Sequence, residues 1–212
     1  MSDVASALIG VVVGGGITVA KDWVAHRTGR QRRGRFAAVR IVCVLDQYIG
    51  KCSEVVLDDG TDCGQPAGRT DGGEEYYEPQ VDTPPPPAFP DGIDWTSIDP
   101  GMMYRILSLA NEALQTDRYI SAQAEHSFPP AYSEIFEARW EGYADLGLKA
   151  LGITEELRRS FNLPKRPVYV GNPDWDVEEF FREKKAEINA RRETYRARNA
   201  SLLDELSASD VA

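Results

Sequence analysis

The chain has 212 residues, 42% hydrophobic and 27% charged, with a formal net charge of -10; this fits one domain with appendages, allows a real core and argues against nucleic acid as a partner. The charge is uneven, because residues 21–40 hold seven basic side chains against Asp22, a balance of +6 that leaves -16 for the remainder. A short basic block of this kind suits anionic lipid headgroups.

Three cysteines, Cys43, Cys52 and Cys63, with no Cys-x-x-Cys among them, argue against a disulfide framework and fit a reducing compartment.

Val4 to Ala20 carries no charge, and at about 1.5 Å per residue it covers roughly 25 Å. This predicts a transmembrane helix over residues 1–25, with Trp23 at the interface and Lys21 snorkelling outward. A signal peptide would want a basic leading region that Met1-Ser2-Asp3 lacks, although Thr18 and Ala20 imitate a cleavage site. A Gly-x-Gly-x-x-Gly nucleotide loop fails because its third glycine position falls on Val19. Gly10, Gly14, Gly15 and Gly16 make a short core helix in water unattractive. In lipid, Ser6, Gly10, Gly14 and Thr18 form a small-residue stripe on which two anchors pack, predicting a homo-oligomer through the membrane helix. No Lys or Arg precedes the apolar run, while Lys21, Arg27, Arg30, Arg32, Arg33 and Arg35 follow it. The positive-inside rule then places the N-terminus outside and the domain in the cytoplasm, with these residues serving topology or the lipid surface.

Residues 26–57 comprise a basic juxtamembrane segment and a first bundle helix over 35–57. Ala38, Ile41, Leu45, Tyr48, Cys52 and Val55 recur every three or four residues, and Val42, Ile49 and Val56 widen that face toward a core. Gly29 and Gly34 mark a bend, unless the membrane helix continues unbroken. Residues 58–98 hold ten acids against Arg69 alone, and seven prolines with Pro84–Pro87 consecutive. So little apolar material predicts an acidic flexible loop, its proline run a stiff extended spacer. The same loop folded back on the arginines would compete with lipid for them.

Residues 99–206 read as a helical bundle. Asp99 caps a helix with Pro100 in its first position, and Ile98 and Met103 are placed as a hydrophobic staple. Met102, Ile106, Leu109, Ala113 and Ile120 form its apolar face, helped by Leu107, Ala110 and Leu114; it ends near His126. A third helix runs from about Ala131 to Asn162. Its apolar side carries Phe136, Trp140, Tyr143, Gly147, Ala150, Leu157 and Phe161, and Glu134, Glu137, Glu141 and Asp145 lie outward in solvent. Pro164 and Pro167 stop it, and Val168–Val170 is extended. A fourth helix begins near Asp174 or Asp176. Its thin stripe of Val177, Phe181, Ile188, Tyr195 and Leu202 sits in a highly charged segment, which suits a protein partner along residues 176–206. Residues 207–212 fray.

Recognisable chemistry is sparse. His26 and His126 lack the Glu three residues earlier that di-iron bundles use, no zinc spacing involves the cysteines, and neither a phosphate-cradling loop nor a Gly-x-Ser-x-Gly elbow occurs. No catalytic, cofactor or metal residue is assigned. The stretch Phe36–Leu163, about three fifths of the chain, resembles a group of bacterial membrane-anchored helical proteins without an assigned activity, through DWTSIDPGMMYRILSLANEA (Asp94–Ala113) and YADLGLKA (Tyr143–Ala150). The resemblance implies a bacterial inner-membrane setting and no catalytic residues. The expectation is an all-α protein: one N-terminal transmembrane helix, then a three- or four-helix cytoplasmic bundle with a long acidic flexible loop. It would act as a membrane-tethered, non-enzymatic interaction or scaffold protein. The alternatives are a phage- or prophage-type lysis or exclusion factor, and a membrane-bound enzyme with an unrecognised site.

Overall fold

The structure, a computed structural model, describes residues 2–125, 127, 133–167 and 174–209, with side chains described between residues 28 and 202. Four helices carry the fold: α1 (Ser2–Leu57), α2 (Pro100–Ala124), α3 (Ser133–Phe161) and α4 (Val177–Ser209). The helix α3 is central. It packs most extensively on α1 and carries α2 and α4 on its other sides. The reason lies in its composition: its buried positions, Phe136, Tyr143, Leu146, Ala150, Leu151, Ile153 and Leu157 among them, are spread over more than one stripe, so it has apolar surface for more than one neighbour.

The expected stripe of α1 folds as read. On α1, Ala38, Ile41, Leu45, Tyr48, Cys52 and Val55 are all buried, with Val42, Ile49 and Val56 beside them. Asp99 caps α2, its carboxylate accepting from the amides of Gly101 (2.9 Å) and Met102 (3.1 Å), which satisfies two of the donors a helix start leaves open. Met102, Ile106, Leu109, Ala113 and Ile120 face the core, while Leu107 and Leu114 are exposed. The helix α3 ends at Asn162, whose φ of 49° is left-handed, and the Leu163 amide turns back to the Arg158 carbonyl at 2.9 Å. This is the wrapped C-terminus that asparagine permits.

Two expectations are corrected. The first is the separate membrane anchor. Residues 2–57 form one unbroken helix through Gly29 and Gly34, the continuous alternative to a bend. Among the described residues no helix is long and apolar enough to cross a membrane. The side chains on which the anchor and its stripe rested, Ser6, Gly10, Gly14, Thr18, Lys21, Trp23 and Arg27, lie outside the described residues, as do His26, His126, Val168–Val170 and the tail 210–212.

The second correction concerns residues 58–98, which form an ordered strap across the bundle rather than a flexible loop. Two short antiparallel ladders, β1 (Thr61–Asp62) with β2 (Gln65–Pro66) and β3 (Gly68–Arg69) with β4 (Glu75–Tyr76), fold its first part. Ile93 and Ile98 enter the core, Pro84 and Pro87 are buried, and Phe89 meets Trp95 edge to face at 5.7 Å. One buried carboxylate ties the strap down. Asp58 accepts from the amides of Gly60, Gln80 and Val81, each at 3.0 Å, and from Arg139 of α3 at 3.1 Å. Its carbonyl accepts from the Trp140 indole at 2.8 Å. Gly60, at φ +79°, lies where a Cβ would overlap Phe136, so this turn requires glycine. Acidic composition argued for disorder, but here an acid is the organising centre.

Candidate functional site: the outer face of α4 and the cleft at the end of α3

The helix α4 starts where Asp176 accepts from the amides of Glu178 (2.8 Å) and Glu179 (3.3 Å). Its first half is docked on α3. Phe181 and Ile188 are fully buried. The Phe181 ring fills the space that a Cβ would take at Gly147, so the glycine lets the two helices approach. Charged pairs line the rim of this contact. Lys185 bonds Asp145, Arg191 lies 3.5 Å from Glu137, and Arg192 holds both carboxylate oxygens of Glu141 at 2.9 and 2.7 Å. The hydrogen bond to Glu141, more than the charges nearby, pushes the Arg192 pKa above its usual value. Lys184 and Arg191 lie over the Trp140 ring, 4.8 and 5.8 Å from its centroid. Glu137, Glu141 and Asp145, expected outward in solvent, are therefore rungs between two helices. A helical wheel of α3 alone does not show that a fourth helix covers its acidic side.

Past Arg192 the docking stops. Every described side chain from Glu193 to Leu202 is exposed, and Tyr195 and Leu202 are 57% and 48% accessible. Phe181, Ile188, Tyr195 and Leu202 follow one another at intervals of seven on one continuous helix. The same seam is thus buried for its first two members and bare for its last two.

A cleft opens at the other end of this face, against the C-terminus of α3. Arg158 donates to Asp46 of α1 at 2.6 Å and to the Pro164 carbonyl at 3.0 Å, and Arg166 approaches Asp46 at 3.7 Å. The adjoining cavity, about 680 Å³, is lined by Arg158, Arg159, Lys165 and Arg166, with Glu155 and Leu163. Burial lowers the Arg166 pKa, and Asp46 opposes that shift. Thr154, the hydroxylic lining residue, already donates to the Leu151 carbonyl at 2.9 Å. The four cations that line the cavity, Arg158, Arg159, Lys165 and Arg166, can attract an anion.

A third group is buried but inert. Burial pushes the Tyr48 hydroxyl and the Cys52 thiol well above their ordinary pKa values, and it does the same to Tyr143, whose hydroxyl donates to Asp117 at 2.6 Å. Each stays protonated near neutrality. All three cysteines are free thiols, and among the described residues no cluster of His, Cys, Asp and Glu is arranged to hold a metal.

Of the sequence-predicted basic residues with described side chains, three engage the chain itself. Arg30 donates to the Thr96 carbonyl (3.4 Å), Arg33 pairs with Asp94 (3.2 Å), and Arg35 reaches the Asn162 carbonyl (3.5 Å), while Arg32 is exposed. Arg40 adds a bond to the Asp91 carbonyl at 3.0 Å. One acid of the 58–98 segment, Asp94, thus pairs with one of these arginines, Arg33. Asp94 is held below the usual carboxylate range, first by the Thr96 hydroxyl and then by Arg33. Sequence reasoning missed Asp46, Arg158 and Arg166. The signal it had was a run of basic residues around Pro164 and Pro167, which names cations but not their convergence. Comparison with protein-family models, curated proteins and solved structures finds no match.

Proposed function

We infer that this chain is a non-enzymatic interaction module, and that the free half of α4 docks an apolar, acid-flanked helix of a partner protein. The observation that carries this reading is the seam of Phe181, Ile188, Tyr195 and Leu202, which passes from complete burial to exposure without a break in the helix. An apolar stripe at intervals of seven is the pattern by which one helix receives another. Arg196 and Arg198 outnumber Glu193 on the described free part, so acidic flanks on the incoming helix complement it.

The test is site-specific photocrosslinking in cells from positions 195 and 202, with exposed position 183 on the docked half as control. The expected result is a discrete adduct from 195 and 202 whose crosslinked peptide is an acid-flanked helix, the adduct from 195 being abolished by Leu202→Glu. Yields no higher than at position 183 would overturn the reading. An adduct of two copies of this chain, with a dimer in solution that Leu202→Glu dissociates, would replace the separate partner by self-association.

A further inference from the structure

The cleft at the end of α3 is not used by the interaction reading. Its two central arginines are only partly engaged. Arg158 directs Nη2 to Asp46 and Nε to the Pro164 carbonyl, and Arg166 directs Nε toward Asp46. The Nη1 atoms of both, and Oδ1 of Asp46 beside them, are buried without a hydrogen-bond partner. An unpaired buried donor is unfavourable, and more so when it carries charge. Both arginines line a cavity of about 680 Å³, where a ligand that accepts from their guanidinium groups would add the partners they lack. The charge balance points the same way. Four cations, Arg158, Arg159, Lys165 and Arg166, line the cavity with one acid, Glu155, while Asp46 and Asp176 act on Arg166 from beside it, so positive charge is in excess there in a chain whose net charge is -10.

We propose that this cleft binds a small phosphate monoester, its phosphate accepting from Arg158 and Arg166 and its organic part lying along Leu151 and Leu163. A phosphate monoester carries a charge of about -1.5 to -2 at neutral pH, more than a single carboxylate brings to the four cations. Guanidinium groups suit a tetrahedral oxyanion because their planar forks present paired donors. The tight end of α3 holds this geometry. Its left-handed Asn162 turns the chain so that Pro164 receives Arg158 and Arg166 returns toward α1.

The experiment titrates the full chain with phenyl phosphate at constant ionic strength, followed by calorimetry and phosphorus NMR, with inorganic phosphate, benzoate and sulfate run alongside. Saturable one-to-one binding of phenyl phosphate is expected, tighter than benzoate by about tenfold or more. Arg166→Gln is expected to weaken it by about tenfold with an unchanged helical circular dichroism spectrum, and Arg159→Gln is expected to change it far less. No saturation by phenyl phosphate, or binding unaffected by Arg166→Gln, would overturn the proposal. Vesicles containing phosphatidic acid supply the same headgroup chemistry from a lipid. Binding to those vesicles, sensitive to Arg166→Gln and absent with the free monoester, would overturn the small-molecule ligand in favour of a headgroup. The helix-docking reading stands or falls separately, because its crosslinks report positions 195 and 202.

Discussion

Asp58 and Arg139 are 1% and 6% exposed in their side chains, and the aspartate also holds three backbone amides. Removing one member strands the other in the interior, which costs about 3–5 kcal/mol for a buried pair. Asp58→Ala is therefore expected to lower stability by about that much in urea denaturation at neutral pH; a loss of about 0–1 kcal/mol would instead be the behaviour of a solvated pair. Replacing both partners by apolar residues should recover part of the loss, because no uncompensated charge then remains. The thiols make a second residue-scale prediction. Cys43 and Cys63 are exposed and Cys52 is buried with a raised pKa, and only the thiolate reacts. Native protein should take up two equivalents of an alkylating reagent near pH 8, and Cys52 only on unfolding; labelling of Cys52 at the rate of Cys43 would contradict its burial. The same shift has a sign in stability. Tyr48, Cys52 and Tyr143 release protons more readily unfolded than folded. Their contribution is thus complete below the unfolded values of about 8.5 for cysteine and about 10 for tyrosine, and is lost as pH rises above them. Melting temperatures should fall through that alkaline range.

At the scale of elements, α4 is two structures in one helix. Its docked half depends on the fit of Phe181 to Gly147. Phe181→Ala removes a buried ring, a change worth about 3–5 kcal/mol, and Gly147→Val overfills the same place at about 1–3 kcal/mol. Both should raise amide exchange from Val177 to Arg192. Tyr195→Ala, on the bare half, should change stability by no more than about 0.5 kcal/mol. If Tyr195→Ala destabilised as strongly as Phe181→Ala, the second half would have an intramolecular partner. Proteolysis separates the strap from α4 in the same way. The amides of Gly60, Gln80 and Val81 are held by a buried carboxylate, while residues 193–202 have no covering surface. Early trypsin cuts are expected at Arg196 or Arg198, ahead of Arg69 in the strap; the reverse order would restore the flexible loop that composition suggested.

For the whole molecule, the parts legible in the sequence are those that depend on neighbours within a few turns. The stripe from Ala38 to Val55, the Asp99-Pro100 start and the Asp176 cap are local patterns, and each is where the spacing placed it. The strap was not legible because Asp58 finds Arg139 across 81 residues and Trp140 across 82, and composition carries no record of such pairings. The cleft depends in the same way on Arg158 meeting Asp46 across 112 residues. Electrostatics connects these scales, because the chain carries -10 overall yet joins α3 to α4 by four pairs of opposite charge: Lys185–Asp145, Arg191–Glu137, Arg192–Glu137 and Arg192–Glu141. Salt acts on these two features in opposite directions. Between about 0.1 and 1 M the screening length falls from about 10 Å to about 3 Å. The longer-range self-repulsion of an acidic chain is then relieved, which favours the compact state. The ladder is also weakened, but partly exposed pairs contribute only about 0–1 kcal/mol each, and Phe181 and Ile188 still hold the helix. The expected outcome is a melting temperature that stays level or rises with salt while amide exchange in Val177–Arg192 speeds up. In the Glu137→Gln, Glu141→Gln variant, exchange in α4 should already be faster at low salt and respond less to added salt. A wild-type α4 whose exchange is unmoved by salt, and a variant indistinguishable from it, would mean that the ladder is surface decoration and that Gly147, Phe181 and Ile188 alone dock the helix.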